Sequence, residues 1–238
     1  MKSKAFRYFY HIVGAFFLLL VTVFTSLEGY AFDLDYYAAQ YNELERVNAT
    51  GMEKEELLRV TEAIMEYLRG ERENLELTVE IHGEQTELFT LREIIHMEDV
   101  QELFYNGFLL RNGLTIFLLL LLGASPFVMG ENIFPAVPRT LYIWAALALG
   151  ISVILIAVIG VGFNYWFELF HLLSFSNDYW ILDPTKHNLI RMFPQKFFYD
   201  ITIAFVTRSI LYLALITFIG KIMVSVTYTF KRKEGGTI

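Results

Sequence analysis

The 238-residue sequence contains no cysteine, so disulfide bonds, thiolate nucleophiles and cysteine-ligated metal sites are excluded. Basic residues are few: 19 Lys and Arg stand against 26 Asp and Glu. The resulting net charge of −7 argues against a nucleic-acid-binding protein. Neither a G-x-S-x-G nor an H-E-x-x-H segment occurs. The common serine-hydrolase and zinc-protease motifs are therefore missing as well.

Apolar residues, in contrast, are abundant. They make up 55% of the chain, whose mean hydropathy of +0.43 is typical of a membrane protein. The first apolar run follows basic residues and resembles a signal peptide in part, but its length and the lack of an A-x-A site favour an uncleaved anchor. Four runs are long enough to cross a bilayer. The predicted transmembrane helices are residues 8–32, 109–131, 140–167 and 200–228.

Most of the acidic residues lie between the first two runs. Nineteen Asp and Glu but only six Lys and Arg occur in residues 33–105. We therefore predict a water-facing α+β cap at residues 33–108. Its hydrophobic periodicity predicts the following elements: helices over 35–46 and 52–69, a strand over 75–81, a turn at His82-Gly83-Glu84, and a second strand over 85–89.

A histidine follows the next helix start. Thr90-Leu91-Arg92-Glu93 fits a capping box and predicts a helix from there to about Phe104. His96 lies three residues from both Glu93 and Asp99, hence beside them on one helical face. A neighbouring carboxylate fixes the tautomer of an imidazole and raises its pKa. An ordinary surface ion pair is the alternative interpretation.

The orientation in the membrane follows from the basic residues. These flank the amino terminus, a predicted short turn at residues 135–139, and the carboxyl terminus at Lys231-Arg232-Lys233. The positive-inside rule places these segments in the cytoplasm. Four crossings then place the cap and an aromatic-rich loop, residues 168–199, on the outer face. This arrangement predicts that His96 and His171 meet at the membrane boundary.

Residues 164–200 combine rings and polar groups. Two of the three Trp and two of the five His occur here. A membrane-boundary belt explains the aromatic residues, but not the ionisable and amide side chains between them. Polar groups walled by aromatics are typical of a binding site. The interleaved polar residues are His171, Asn177, Asp178, Asp183 and Arg191.

Two histidines at one boundary indicate general acid–base chemistry, because imidazole titrates near neutrality. Three alternatives remain open on the residues alone. Ser174 or Ser176 could serve a hydrolase, the two histidines with nearby acids could bind a metal, or the histidines could be structural.

The clearest motifs are H-M-E-D-V at residues 96–100 and a longer block over residues 170–200. The longer block reads F-H-x-x-x-F-S-N-D-x-W-x-L-D-P, then L-I-R-M-F-P, then F-F-Y-D. With four spans and an outer cap, the chain resembles the bacterial lipoprotein intramolecular transacylases over essentially its whole length.

This resemblance implies an α-helical integral membrane enzyme with four transmembrane helices and a small α+β extracellular cap. It implies transfer of the sn-2 acyl chain of a diacylglyceryl-cysteine lipoprotein to the α-amine of that cysteine, without a cofactor or metal. It also places the two catalytic histidines at His96 and His171. The expected partners are the lipoprotein substrate and membrane lipid, not nucleic acid, in a bacterial cell membrane.

The chemistry of the reaction suggests roles for further residues. We expect His171 to act as base and His96, tuned by Asp99, as acid, although the order could be reversed. Asn177, Arg191 or a backbone N–H could steady the oxyanion. Candidates for the lipid-facing wall are Phe170, Phe175, Trp180 and Phe193. A non-enzymatic membrane scaffold or transport subunit, with the cap as a partner-binding module, is the alternative function.

Overall fold

The computed structural model describes residues 3–234, with side chains described for residues 3–229. Lys2 and the side chains of Lys231-Arg232-Lys233, on which the predicted orientation partly depends, lie outside this range. The described chain is mostly helical with one two-stranded sheet. Its elements are α1 (Lys4–Ala31), α2 (Leu34–Glu43), α3 (Arg46–Thr50), α4 (Lys54–Leu68), β1 (Thr78–Ile81), β2 (Glu84–Glu87), α5 (Leu91–Met129), α6 (Ile133–Val161), α7 (Phe163–Ser174), α8 (Asn188–Met192) and α9 (Gln195–Glu234).

Four of these helices, α1, α5, α6 and α9, are long and apolar enough to cross a membrane. In α5 the first part carries five charged side chains between Leu91 and Glu102, so the membrane-spanning part is the apolar run that begins near Asn112. The start of α5, which contains His96, therefore lies outside the spanning part. The exact bounds of the membrane-embedded segments stay predictions.

The first of two compact units consists of Met1–Leu27, Leu110–Val158 and Phe205–Ile238. Its core surrounds Trp144, which is fully buried and packs against Tyr10 with ring centroids 5.4 Å apart. Gly14 allows this packing, since an added Cβ there would lie 2.0 Å from the indole. The Ser209 hydroxyl donates to the Thr22 carbonyl oxygen at 3.2 Å and so joins α9 to α1.

The second unit consists of Glu28–Leu109 and Ile159–Ala204. The apolar stripe of α4 forms its core together with β1 and α8, with Leu57, Val60, Val79 and Met192 all completely buried. β1 pairs antiparallel with β2, from Thr78 opposite Glu87 to Ile81 opposite Glu84. Their two-residue turn, His82-Gly83, has both φ angles positive, as tight hairpins prefer.

The predicted capping box is confirmed, but the predicted end of its helix is wrong. The Thr90 N–H donates to Glu93 Oε2 at 2.8 Å, and α5 begins at Leu91. The helix then continues past Phe104 to Met129. Gly107 does not stop it, because a single glycine costs a helix only about 1 kcal/mol relative to alanine.

The predicted turn at residues 135–139 is also wrong, because these residues belong to the start of α6. Pro135 lies in the first turn, where a backbone N–H has no partner inside the helix, so proline is tolerated. At its other end α6 stops at Val161. Residues 163–167, expected to continue the third apolar run, belong instead to α7.

Candidate functional site

His96 and His171 lie together in the second unit. His96 is in the second turn of α5 and His171 is in the last turn of α7. Their ring centroids are 6.4 Å apart with planes inclined by 32°, and the residues are 8% and 9% exposed. The predicted meeting of the two rings is therefore observed, whereas their catalytic role stays a prediction.

The orientation of His171 is set within its own helix. Its Nδ1 atom lies 2.6 Å from the carbonyl oxygen of Phe167, one turn earlier. Because a carbonyl oxygen only accepts hydrogen bonds, Nδ1 must carry the proton. The lone pair is then on Nε2, which leaves this nitrogen able to accept a proton.

Aromatic rings surround His171. The Phe167 ring centroid is 4.4 Å from that of His171, Trp180 is at 4.8 Å, Phe170 at 5.3 Å and Phe175 at 5.7 Å. Three of these four rings were predicted as wall residues. Phe167 was missed, although its position four residues before a histidine on a helix is a usable signal.

Burial keeps His171 neutral. Removal of the ring from water lowers the pKa of His171, and the hydrogen bond to Phe167 opposes this effect only in part. A neutral imidazole is the form that accepts a proton. The described surroundings therefore suit His171 to the role of base.

His96 is held neutral even more strongly. Burial is the main cause that lowers its pKa to about 4, and the neighbouring His171 and Arg92 act in the same direction. Asp99 raises the pKa but does not outweigh burial. The prediction that a carboxylate leaves the pKa of His96 raised is therefore wrong in its net direction. Its Nδ1 atom is buried without a hydrogen-bond partner among the described residues.

Asp99 and Asn177 link α5 to the loop after α7. Asn177 Nδ2 donates to Asp99 Oδ2 at 2.9 Å, and the Tyr179 N–H donates to Asn177 Oδ1 at 3.1 Å. The two predicted supporting residues are thus directly bonded to each other. Their bond fixes the loop that carries Trp180 over His171.

Arg92 holds the same loop and was missed by the sequence analysis. Its guanidinium donates to the carbonyl oxygens of Asp178 and Ile181, and lies 3.4 Å from the Asp178 carboxylate. It precedes His96 by one helical turn, a spacing that places both on one side of α5. The carbonyl partners give no sequence signal, because any residue carries one.

Glu93 is not a partner of His96. Its side chain is completely buried and accepts hydrogen bonds from the Thr90 backbone, the Thr90 hydroxyl and the Leu189 N–H, at 2.8, 2.8 and 2.7 Å. The carboxylate caps α5 and binds the start of α8. Glu93 therefore has a structural role, and the prediction that it fixes the tautomer of His96 is wrong.

Arg191 and Phe193 have other neighbours. Arg191 donates to the carbonyl oxygens of Pro184 and Thr185, at 2.6 and 2.7 Å, and so pins the turn before α8. Phe193 packs in the core beside Tyr37, with ring centroids 5.8 Å apart. None of these contacts involves His96 or His171. These positions favour a structural role for Arg191, one of the two oxyanion candidates, and for Phe193, one of the four wall candidates.

Asp183, the remaining polar residue of the loop, also caps a turn. Its carboxylate accepts from the Thr185 N–H and hydroxyl, and these bonds lower the pKa of Asp183. Over the described residues, no group of three or more His, Asp or Glu side chains is clustered as metal ligands would be.

Comparison with known proteins bears on the fold and the family of the chain. No curated protein matches the chain. The solved membrane-integral lipoprotein intramolecular transacylase Lit from Bacillus cereus is similar in fold, with a TM-score of 0.76 at 18% identity over 95% of this chain and 100% of that chain. A structure of the same protein with a histidine-to-alanine substitution has a TM-score of 0.71 at 19% identity, over 93% of this chain and 94% of that one. The predicted four-helix membrane fold class is confirmed.

The family assignment comes from a sequence model rather than from these distant structures. The model of the family described as lipoprotein intramolecular transacylase Lit matches residues 12–198. This span includes the cap, His96, His171 and the loop after α7 that is bonded to α5. The chain therefore belongs to the lipoprotein intramolecular transacylase Lit family, and is a membrane acyltransferase.

Proposed function

We propose that the protein moves the sn-2 acyl chain of a diacylglyceryl-cysteine lipoprotein onto the α-amine of the same cysteine. The amine nitrogen forms an amide bond with the ester carbonyl carbon, and the bond from that carbon to the glyceryl oxygen breaks. The product is an N-acyl, S-monoacylglyceryl lipoprotein. Nitrogen, Cα, Cβ, sulfur, two glycerol carbons, the ester oxygen and the carbonyl carbon close an eight-membered ring. No enzyme nucleophile is required.

The family assignment sets aside the non-enzymatic scaffold alternative.

The observation that carries the proposal is the close pair of neutral histidines. One proton must leave the attacking amine, and one proton must reach the departing glyceryl oxygen. Because a positive charge on His171 opposes protonation of His96, the two neutral rings take up only one added proton at a time. His171 Nε2 accepts the proton that leaves the amine nitrogen. His96 donates a proton to the departing glyceryl oxygen and receives one from protonated His171, so both rings end neutral.

The rings around His171 supply positioning. The glycerol and acyl chain are flexible, and folding them back on the amine is the entropic part of the barrier. Phe170 is 49% exposed and contacts His171 edge-on, while Trp180 lies across the imidazole. These apolar faces suit an acyl chain held beside the base. Good positioning of this kind contributes several kcal/mol, on the order of 10²-fold or more in rate.

Mass spectrometry of a synthetic diacylglyceryl lipopeptide tests the proposal. We expect purified wild-type protein to convert an S-diacyl species with a free amine into the isobaric N-acyl, S-monoacyl species, distinguished by fragmentation. His96→Ala and His171→Ala are expected to lose at least 10²-fold in rate. His82→Asn is the matched control, since His82 is exposed at the hairpin turn. Acyl chains that stay on glycerol with the wild-type protein would refute the proposal.

We also propose that both termini are cytoplasmic and that the cap faces outward. The basic residues that flank the predicted membrane spans support this orientation. Because the chain has no cysteine, a single thiol reports its own position. Glu84→Cys in exposed β2 is expected to react with a membrane-impermeant maleimide on intact cells, and Asn132→Cys only after lysis. The reverse pattern would show the opposite orientation.

A further inference from the structure

A cleft in the second unit lies apart from the histidine pair, since neither His96 nor His171 lines it. It is a cleft of about 650 Å³ where α6 ends and α7 and α9 begin. Its volume falls in the range of ligand sites, about 300–1,000 Å³. Phe163 and Tyr199 close one side, with ring centroids 5.3 Å apart and planes nearly perpendicular. The other lining residues are 160–162, Asn164, Tyr165, Gln195 and Lys196.

The polar groups of the cleft suit a peptide backbone. Asn164 and Gln195 each present one amide that both donates and accepts, and neither amide is bonded to another group among the described residues. The first turn of α7 adds backbone donors. Gly162 provides no capping side chain, and the first bond of the helix runs from the Trp166 N–H to the Gly162 carbonyl oxygen. Paired donors and acceptors are what an extended peptide requires.

The charge of the cleft disfavours an anionic ligand. Lys196 is the single ionisable cation among its described lining residues, and its ammonium is already paired with the Asp200 carboxylate one turn along α9. The ammonium also lies 5.6 Å from the Tyr199 ring centroid. A phosphate group would have to compete with a carboxylate for this cation. A neutral ligand is not subject to that competition.

The distance to the histidine pair matches a short peptide. Asn164 and His171 are seven residues apart on α7, which corresponds to about 10 Å along the helix axis. Three residues of extended chain span about 10 Å. A polypeptide whose first residue is held at His171 therefore reaches the cleft with its next three residues.

We propose that this cleft receives the polypeptide of the lipoprotein immediately after its acylated cysteine, and that it binds this segment through the backbone. The inference rests on the proposed function, which places the cysteine α-amine at His171. Backbone recognition makes the cleft indifferent to most side chains. The enzyme can then act on lipoproteins that differ in sequence after the cysteine.

The test compares two lipids: diacylglyceryl-cysteine amide, and the same lipid extended by four residues. Asn164→Ala and Gln195→Ala each remove an amide, and together they are expected to raise both the Kd and the KM of the extended lipid about tenfold. The values for the cysteine amide are expected to stay within about twofold. Gly160→Phe is a second variant that blocks the cleft, since a Cβ at this position meets no atom within 4 Å.

Gln85→Ala in the exposed strand β2 is the matched control and is expected to change neither lipid. Equal effects on both lipids, or no effect on the extended lipid, would overturn the proposal that the cleft binds the peptide. Kd is measured by fluorescence anisotropy of labelled lipids with the His171→Ala protein and its cleft variants. The binding result is thus obtained without acyl transfer. If the extended lipid binds through the cleft but no acyl chain moves in the wild-type protein, the proposed function fails and the cleft stands.

Discussion

The Glu93 carboxylate accepts a hydrogen bond at 2.7 Å from the backbone N–H of Leu189, 96 residues later in the chain. The same carboxylate accepts two bonds from Thr90, so one buried group joins the start of α5 to the start of α8. His96 lies one turn beyond this junction. The position of His96 therefore depends on a residue that does not touch it.

We expect Glu93→Ala to destabilise the second unit by about 2–4 kcal/mol, because the buried Leu189 N–H would lose its acceptor. The thermal unfolding midpoint of the purified protein in detergent measures this effect. Glu84→Ala, on the exposed strand β2, is the control and should leave the midpoint nearly unchanged. Equal midpoints for the two variants would show that the Glu93 junction contributes little.

The stability of the protein should fall as pH decreases through the range set by His96. Its pKa of about 4 in the folded protein is below the unfolded value of about 6.5, so the unfolded chain binds more protons between these values. Stability is then fully present above about pH 6.5 and declines toward pH 4, by up to about 3 kcal/mol.

His96→Gln should reduce this slope, since the substituted residue does not titrate. Unfolding midpoints measured between pH 4 and 7.5 for the wild type, His96→Gln and His82→Asn give the comparison. His171 adds to the slope in the same direction, because burial lowers its pKa as well. If stability depended on pH equally in His96→Gln and in the wild type, the lowered pKa of His96 would be contradicted.

The bond between Asp99 and Asn177 should appear as a coupling energy. Asp99→Ala and Asn177→Ala each break it, so the double variant should lose less than the sum of the two single losses, by about 1–2 kcal/mol. The rate of acyl transfer and the unfolding free energy both measure this coupling. Additive losses in both quantities would show that the bond does not order the loop.

Two glycine substitutions in the first unit should differ in their effect on stability. Gly14→Ala would place a Cβ 2.0 Å from the completely buried Trp144 ring, and we expect a loss of about 2 kcal/mol or more. Gly123→Ala meets no atom within 4 Å and should be neutral or stabilising by up to about 1 kcal/mol. Thermal unfolding of both proteins in detergent provides the measurement. A tolerated Gly14→Ala would mean that α1 can shift away from Trp144.

The sequence predicted elements whose cause is local. The four apolar helices follow from run length, and the start of α5 follows from Thr90 and Glu93, whose side chains bond the backbone within one turn. The hairpin likewise follows from alternation and His82-Gly83. The ends of helices were harder to predict. The prolines at the start of α6 were interpreted as a turn, because proline is compatible with a turn and with the first turn of a helix.

Long-range partners could not be predicted. The Glu93 bond to Leu189 and the Arg92 bonds to Asp178 and Ile181 use backbone groups, which every residue carries. The pKa of His96 was misjudged for a related reason. The neighbouring Asp99 is visible in the sequence, whereas the burial that outweighs it depends on elements brought together only by folding.

The bond from His171 Nδ1 to the Phe167 carbonyl oxygen stays within one helix. The orientation of the His171 ring therefore depends on a bond within α7 alone. A rigid displacement of α7 would leave this bond, and the orientation of the ring relative to the helix, unchanged. The loop that bears Trp180 is held by other contacts, from Arg92 to Ile181 and between Asn177 and Asp99. The tautomer of His171 and the position of this loop therefore depend on separate bonds, which substitutions can change one at a time.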